Sequence, residues 1–441
     1  MILYLDRAEV PDVERLPSEV LRSLLRKGEQ AVGRYDKLWR YYLGQHDIRT
    51  EGGRDEVKVV VNYAKYVVDI ALGYYLGHPV KYDANQTDAL GRKVDLMPLI
   101  HCYDQAHLQE ADLTIGKTMG IMGDCLELCY STGGEHPGPA SAVIDPRRGI
   151  LVKDNTVEHA NLFGLIWEKR KKLSGENYYF VTVYTDRTAK DYICTDLNGG
   201  QFMPSGEVRY HWFGAVPLID YANNDERQGD FEQIISLIDA YDALMSARLT
   251  DKKKFVDALL VFFGMTLAEG DERRLAVEKF IDGAPLDARA EYIQKTFNES
   301  EVQVLADALV REMHKMTLTV DMSDQQFAGN SSGQALKLKM LTMDQLVSRK
   351  MRRMERGLRE RMALYNHELM VRGVMPAVDH TQVDVIFTPN LPINEGERVD
   401  LVCKLQGIVD DQTLLSQLWF ISDPAEAAEI MRRRKEGQAE D

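Results

Sequence analysis

The sequence has few cysteines, and those present follow no pattern that would build a disulfide framework or a metal site. There are five, an odd number at irregular spacing, which is typical of free thiols in a reducing compartment. They are Cys102, Cys125, Cys129, Cys194 and Cys403. Cys125 and Cys129 stand in the apolar segment DCLELCY with no second ligand pair nearby, so we predict buried free thiols and no bound metal.

Long hydrophobic runs are also missing. The segment VDALLVFFG is far shorter than the roughly 18 apolar residues of a membrane-spanning helix. The first residues, MILYLDRAEVPDVERL, lack the basic start and apolar run of a secretion signal. We therefore expect an intracellular soluble protein with no membrane partner. Its 441 residues, 44% of them hydrophobic, are enough for a sizeable packed core.

Positive charge is scarce relative to negative charge. The chain has 54 Lys and Arg against 69 Asp and Glu, for a formal net charge of -15. A protein that coats nucleic acid through a basic face needs clustered cations to neutralise phosphates, so the composition disfavours that class. It remains compatible with a protein past which DNA slides, where tight binding would be a fault.

Catalytic motifs are absent as well. The segment AGNSSGQALKLKM, residues 328–340, resembles a phosphate-binding loop, but a Walker A loop requires G-x-x-x-x-G-K-[ST] after a strand. Here three residues separate Gly329 from Gly333, Gln334 follows, and the first lysine is Lys337, a full turn into the next helix. The sequence also has no H-E-x-x-H and no G-x-S-x-G. We predict no catalytic residue, no cofactor and no enzyme activity.

What the sequence does contain is a series of helices interrupted by one β-rich region, which predicts an α+β fold. The helices expected from apolar spacing and end signals are residues 18–43, 63–76, 95–122, 230–263, 300–317 and 334–371. Between about 123 and 223, β-branched and aromatic residues alternate between turn signals such as LNGG, which indicates an antiparallel β region. Residues 383–387 form one further strand by alternation.

Four stretches stand in the order and spacing of one known family. They are YYLGQHDI with VNYAKYVVDIALGYYLGHPVKY, then HWFGAVPLIDYANNDERQGDFEQIISLIDAYDALMS, then KKFVDALLVFFG, then GNSSGQALKLKM with the long helix behind it. Together they resemble the portal proteins of tailed double-stranded DNA phages, in the branch typical of siphophages. The resemblance covers about residues 35–395. Each piece alone is weakly specific, and the specificity comes from their order.

The resemblance implies a mainly helical portal fold that assembles as a ring, of twelve subunits or of thirteen when expressed alone, around a DNA channel. Its regions, by match of position, would be a wing of helices and antiparallel β structure (1–229), a stem helix (230–263), a clip (264–297), a second stem helix (298–320), a tunnel loop (321–333), a long wing helix with a returning strand (334–394), and a crown with the C-terminal tail (395–441).

The tunnel loop implied by the resemblance gives residues 321–333 a physical role. Glycines supply the backbone freedom that a loop needs when DNA passes. Polar side chains would contact DNA without a strong grip; these are Gln325, Gln326, Asn330, Ser331 and Ser332. Without the resemblance, the segment reads as an ordinary surface loop between two helices.

Cations near the stem are the second set of candidate channel residues. They are Lys252, Lys253, Lys254, Arg311 and Lys315. Each would be repeated around the ring and form a band of positive charge if it faced the channel; the alternative is a solvated helix face. The long helix adds a basic stripe, because residues 334–361 carry nine cations and three acids. We expect that stripe to pair with acids of adjacent subunits or to face packaged DNA, and the sequence leaves both open.

The partners follow from the resemblance. They would be further copies of the chain, double-stranded DNA passing without sequence preference, the terminase large subunit, head-completion or adaptor proteins, and capsid and scaffolding proteins. The location would be the portal vertex of the virion, after assembly in the host cytoplasm. Two other hypotheses are another head structural or adaptor protein, which the helix–insert–helix–loop–helix order disfavours, and a packaging enzyme, for which the motifs are missing.

Overall fold

A computed structural model describes residues 1–50, 56–84, 87, 94–133, 137–256, 259–263, 289–293, 299–322, 333–390, 402–405, 408–410, 414, 428 and 430. Within them the helices are α1 (Ser18–Tyr42), α2 (Tyr63–Leu76), α3 (Met97–Gln105), α4 (Leu108–Met122), α5 (Ile235–Val256), α6 (Glu299–Thr317) and α7 (Gly333–Val371). The strands are β1 (Ile2–Leu5), β2 (Lys81–Ala84), β3 (Asp124–Ser131), β4 (Pro139–Ile144), β5 (Gly149–Asp154), β6 (Asn161–Lys171), β7 (Asn177–Tyr184), β8 (Thr188–Cys194), β9 (Met203–Pro204), β10 (Arg209–Tyr210), β11 (Leu218–Ala222), β12 (Leu259–Phe263), β13 (Arg289–Ile293) and β14 (Val383–Ile386). The predicted α+β class is confirmed.

The largest sheet has seven strands in the order β1-β5-β6-β7-β8-β10, with β9 also paired to β8. All pairs are antiparallel except β1 with β5, so the antiparallel region predicted for residues 123–223 is confirmed and β1 joins it from the N-terminus. Alternation places Phe163 and Trp167 of β6 on one face, where they pack with Leu21 and Leu25 of α1. The apolar face of α1 thus covers this sheet.

A second core forms where α7 crosses the three-stranded sheet β11-β3-β4. Gly357 lies inside α7 and does not interrupt it. A Cβ atom there would lie 2.2 Å from Cε1 of Tyr221, so glycine is what lets α7 approach β11 this closely. Tyr75 of α2 is buried in the same core, and β14 pairs antiparallel with β2 beside it. The predicted strand at 383–387 is therefore confirmed.

The centre of this core holds a charge. Arg361 of α7 is 0% exposed; its Nε donates to Oε1 of Glu127 and its Nη1 to Oδ1 of Asp112, both at 2.7 Å. The Tyr221 hydroxyl donates to the second oxygen of Glu127 at 2.6 Å. A buried charge is tolerated only when it is paired and hydrogen-bonded, so these partners from α4, β3 and β11 are fixed around one guanidinium.

Two predicted helix boundaries are wrong. The helix expected over 95–122 is divided into α3 and α4, because His107 adopts a left-handed conformation with φ 52°. The break lets Tyr103 and Leu108 reach the same core. The helix expected to run to residue 263 ends at Val256, and the run LLVFF becomes β12, paired antiparallel with β13. Branched and aromatic residues favour a strand where a partner strand is available.

Replacing Arg361 with Met should lower the free energy of unfolding by about 3–5 kcal/mol, because it leaves two buried carboxylates without their cation. Arg349→Met on the exposed side of the same helix is the control, with an expected change within about 0.5 kcal/mol. Chemical denaturation of the two variants measures both values. Equal stability of both variants would contradict the assigned role of Arg361.

The pH dependence of that deficit has a definite sign. Burial already raises the pKa of Asp112, and removal of the guanidinium raises it further. Above the ordinary carboxyl pKa the folded state then holds a proton that the unfolded chain releases, so stability falls as pH rises through this window. The deficit of Arg361→Met should be larger at pH 8 than at pH 5.

Candidate functional site

The helices α5 and α6 form an antiparallel pair, and the β12–β13 hairpin lies between them in the chain. Near the hairpin, the Arg248 guanidinium donates to Oε1 of Gln303 at 3.0 Å and forms an ion pair with Glu299. That ion pair is the main reason that the pKa of Glu299 is lowered. At the other end, Nε2 of Gln233 donates to the Met316 carbonyl at 3.0 Å. These contacts fix the position of each helix along the axis of the other.

A second face of α5 holds an extended segment, residues 57–61. Alternate backbone N–H groups of that segment donate to polar side chains spaced four residues apart on the helix, which is the spacing of one helix face. The three bonds run from Val61 to Asp242 Oδ1 (2.9 Å), from Val59 to Ser246 Oγ (2.9 Å) and from Val57 to Thr250 Oγ1 (3.0 Å). They attach two turns of α5 to the extended segment 57–61.

A buried histidine further stabilises the joint between α5 and residues 57–61. His46 and Asp242 are both fully buried, with Nδ1 of His46 2.5 Å from Oδ2 of Asp242. Nε2 of His46 lies 3.1 Å from the Tyr41 carbonyl, and the Tyr41 ring stacks on the imidazole at a centroid distance of 4.7 Å. Each ring nitrogen thus has an acceptor oxygen within hydrogen-bond distance.

The far end of α6 is joined to α2 through aromatic side chains. The rings of Tyr63 and Tyr66 meet the His314 ring edge-on, at centroid distances of 6.2 and 5.6 Å. The Tyr66 hydroxyl donates to the Val320 carbonyl at 3.0 Å and accepts from the Met322 N–H at 3.0 Å. Both ends of the α5–α6 pair are thus anchored, and the segment after Met322 starts from a fixed point.

The tunnel-loop prediction concerns residues that the structure does not describe. Gln325, Gln326, Asn330, Ser331 and Ser332 lie outside the described residues. The described chain on either side ends at Met322 and resumes at Gly333, the first residue of α7. The prediction for these five side chains stays a prediction.

The predicted stem cations fall into three groups. Lys252 and Lys315 are exposed, with ion pairs to Glu299 at 3.1 Å and to Glu312 at 3.6 Å. Lys253 and Arg311 are exposed and form no ion pair with another described residue. Lys254 belongs to α5, and its side chain lies outside the described part. Which cations face a channel stays a prediction.

The predicted basic stripe on α7 is largely neutralised within the chain, so the expectation of external partners is wrong for five of its nine cations. Lys350 is buried with Asp230 at 2.5 Å. The other four pairs are Arg353 with Asp225, Arg356 with Glu360, Arg359 with Glu355, and Arg361 with Asp112 and Glu127. Arg349 and Arg352 remain exposed without an ion pair to a described residue.

Sequence reasoning missed the joint between α5 and residues 57–61. The signal was present as Asp242, Ser246 and Thr250, three polar residues at intervals of four on one face of α5. It indicated a polar helix face, but not the segment that binds there.

Among the described residues, no three His, Cys, Asp or Glu side chains are placed to hold a metal ion, and none of the described helices is long and apolar enough to cross a membrane. The five cysteines are free, and Cys125 and Cys129 are buried as predicted.

Comparison with known proteins finds a matching family and two similar proteins. Residues 21–441 match the family model described as phage portal protein, SPP1 Gp6-like. The portal protein of Bacillus phage SPP1 is 24% identical over 382 residues, which are 82% of this chain and 73% of that protein. The portal protein of Clostridium phage phiCD119 is 20% identical over 432 residues, 90% of this chain and 92% of that protein.

Asp242→Ala should lower the free energy of unfolding by about 3 kcal/mol, because it removes the partner of a buried His46 and the acceptor of the Val61 N–H. Hydrogen exchange of the amides at 57–61 should accelerate in the same variant. The control is Asp307→Ala, which removes an exposed carboxylate that accepts only from Gln303 among the described residues and should change stability by less than about 0.5 kcal/mol. Unchanged hydrogen exchange at residues 57–61 in Asp242→Ala would show that Asp242 does not hold this segment on α5.

Proposed function

The chain belongs to the SPP1 Gp6-like family of phage portal proteins, and from this membership we propose that it forms a ring at one capsid vertex through which DNA is packaged and later ejected. The observation that carries the proposal is the family match over residues 21–441, nearly the whole chain. Family membership makes the protein a structural component of the virion, so its role is mechanical and the energy for DNA movement comes from a partner.

In this proposal α5 and α6 are the stem. Their 22 and 19 residues give a rod about 30 Å long. The β12–β13 hairpin lies at one end of the rod and is the clip, which binds the terminase large subunit and later the head-completion or adaptor proteins. The segment between Met322 and Gly333 leaves the other end and is the tunnel loop. Residues 1–229 with α7 and β14 are the wing, toward capsid and scaffolding proteins, and residues from 395 onward are the crown.

The order of these elements supports the assignment. A loop at one end of a helix pair and a hairpin at the other separate the contact with moving DNA from the contact with the motor. The anchoring of α5 by residues 57–61 and of α6 by Tyr66 keeps the rod fixed to the wing while the loop moves. The net charge of -15 limits adhesion of DNA to the ring.

We also propose that stem cations form bands of positive charge along the channel. Lys252 and Lys315 share their charge with Glu299 and Glu312, which weakens their effect on DNA. Lys254 stays a candidate by position. Lys253 and Arg311 are exposed without a described ion pair, and so they are the strongest candidates.

The purified chain should assemble as a particle of about twelve 50.2 kDa subunits, or thirteen, with a central hole. Native mass spectrometry gives the subunit number and negative-stain images give the hole. A stable monomer or dimer at micromolar concentration, under all salt conditions, would refute the proposal.

Arg311→Glu should reduce the yield of DNA-filled particles by about tenfold, because it reverses one ring of charge along the path of a polyanion. The variant should keep the mass of the wild-type ring. The control is Arg187→Glu in the turn between β7 and β8, which is also exposed and lies outside the proposed stem. Packaging at wild-type yield by Arg311→Glu rings would show that this residue does not face the channel.

A further inference from the structure

One face of α6 is apolar and has no partner among the described residues. Leu305 is 51% exposed and Met316 is 52% exposed. They alternate along one face with Glu301, Ala308 and Glu312, at helical spacings of three and four. This face lies about 140–180° around the helix axis from Gln303, the residue through which α6 contacts Arg248 of α5. It therefore points away from the rest of its own stem.

The opposite edge of the helix pair, on α5, has small side chains that leave room for the large side chains of the α6 face. The exposed residues of α5 on that side are Ser236, Ala240, Ala243 and Ala247. They lie about 80–140° around the axis from Arg248, on the side away from α6. Side chains this small let a second helix approach closely, because the distance between helix axes depends on the side chains at the contact.

The two faces also lie at similar positions along the axis of the α5–α6 pair. Because Arg248 is level with Gln303 and Gln233 with Met316, each step along α5 corresponds to one step back along α6. Ala247 is therefore level with residues 302–304, one to three residues from Leu305. Rotation about a ring axis keeps each residue at the same height, so a large apolar residue of one copy meets a small residue of the next.

Charge favours a second copy of this chain over DNA at the α6 face. Glu301 is exposed there without an ion pair to a described residue, so a polyanion is repelled at that end of the face. Glu312, three turns on, is paired with Lys315. The edge beside α5 is basic instead, with Arg49 and Lys58 also lacking described ion pairs. Lys58 stands between two residues bonded to Ser246 and Thr250, which places it close to the level of Glu301.

We propose that the α6 face of Glu301, Leu305, Ala308, Glu312 and Met316 packs against the α5 face of a second copy. The contact joins two different surfaces, so it repeats head to tail and closes into a ring. It names the surfaces that hold the stem together, and in this respect it rests on the proposed function. Arg311 lies about 60–140° around the axis from these residues, whereas Lys315, which pairs with Glu312, borders the α6 face.

A disulfide test decides the pairing. In a Cys403→Ser background, which removes the exposed native thiol, the double variant Ala247→Cys/Leu305→Cys should give a ladder of covalent multimers on oxidation, read on a non-reducing gel. The two positions lie on opposite edges of one stem, so a bond can form only between copies. Leu249→Cys/Leu305→Cys is the matched control, since Leu249 is exposed at a similar level but on another side of α5.

A substitution provides the second measurement. Leu305→Asp should at least halve the fraction of chain in rings, while Leu249→Asp, exposed on a different side of α5 from Ala247, should not. Circular dichroism confirms that both variants are folded. Rings of normal mass that cross-link no more than the control overturn this interface and leave the proposed function intact. A chain that forms no rings overturns the proposed function, and the interface with it.

Discussion

The fold depends on the buried guanidinium of Arg361. Transfer of a charge from water into a protein interior costs several kcal/mol, so the position of α7 is acceptable only where Asp112 and Glu127 meet its nitrogen atoms. A shift of α7 by one residue rotates its side chains by about 100° and would leave all three charges unpaired. The triad thus sets the register of a 39-residue helix against α4 and β3. Apolar packing alone, which tolerates many arrangements of Met and Leu, would specify it less sharply.

The same helix, α7, also contacts the start of the proposed stem. Lys350 precedes Arg361 by three turns and lies on the same side of α7, where it forms a buried pair with Asp230, just before α5. Asp242 then fixes α5 to residues 57–61. Buried polar contacts of α7 and α5 therefore link the three-stranded sheet to the proposed stem. If the segment before Gly333 contacts DNA as proposed, load on it passes into α7, which both buried pairs hold in place.

The elements that could be predicted from the sequence are those whose information is local. The apolar spacing of α1, α2 and α7 gives their extent to within a residue or two, and the β region has its own turn signals. The strand at Leu259–Phe263 was read as helix because a short apolar run has no distinctive period, and only its pairing with Arg289–Ile293 decides the outcome. The cations of α7 were read as an external surface for a related reason. For Lys350, Arg353 and Arg361 the acids at 112, 127, 225 and 230 are distant in sequence, and periodicity cannot show which charges a fold brings together. Arg356 and Arg359 instead pair with Glu360 and Glu355 four residues away, a spacing that was visible in the sequence.

The composition of α5 shows how the stem solves a conflict between charge and assembly. Copies with a net charge of -15 repel one another, so a closed ring needs short-range contacts that outweigh the long-range field. One face of α5 receives residues 57–61, and a second face receives α6. The small residues Ala240, Ala243 and Ala247 lie on the third face, and in the proposed interface burial of Leu305 and Met316 against them would stabilise contact without adding charge. At physiological ionic strength the field is screened within about 8 Å, whereas the apolar contact is not. A portal can therefore stay acidic toward DNA and still hold its subunits together.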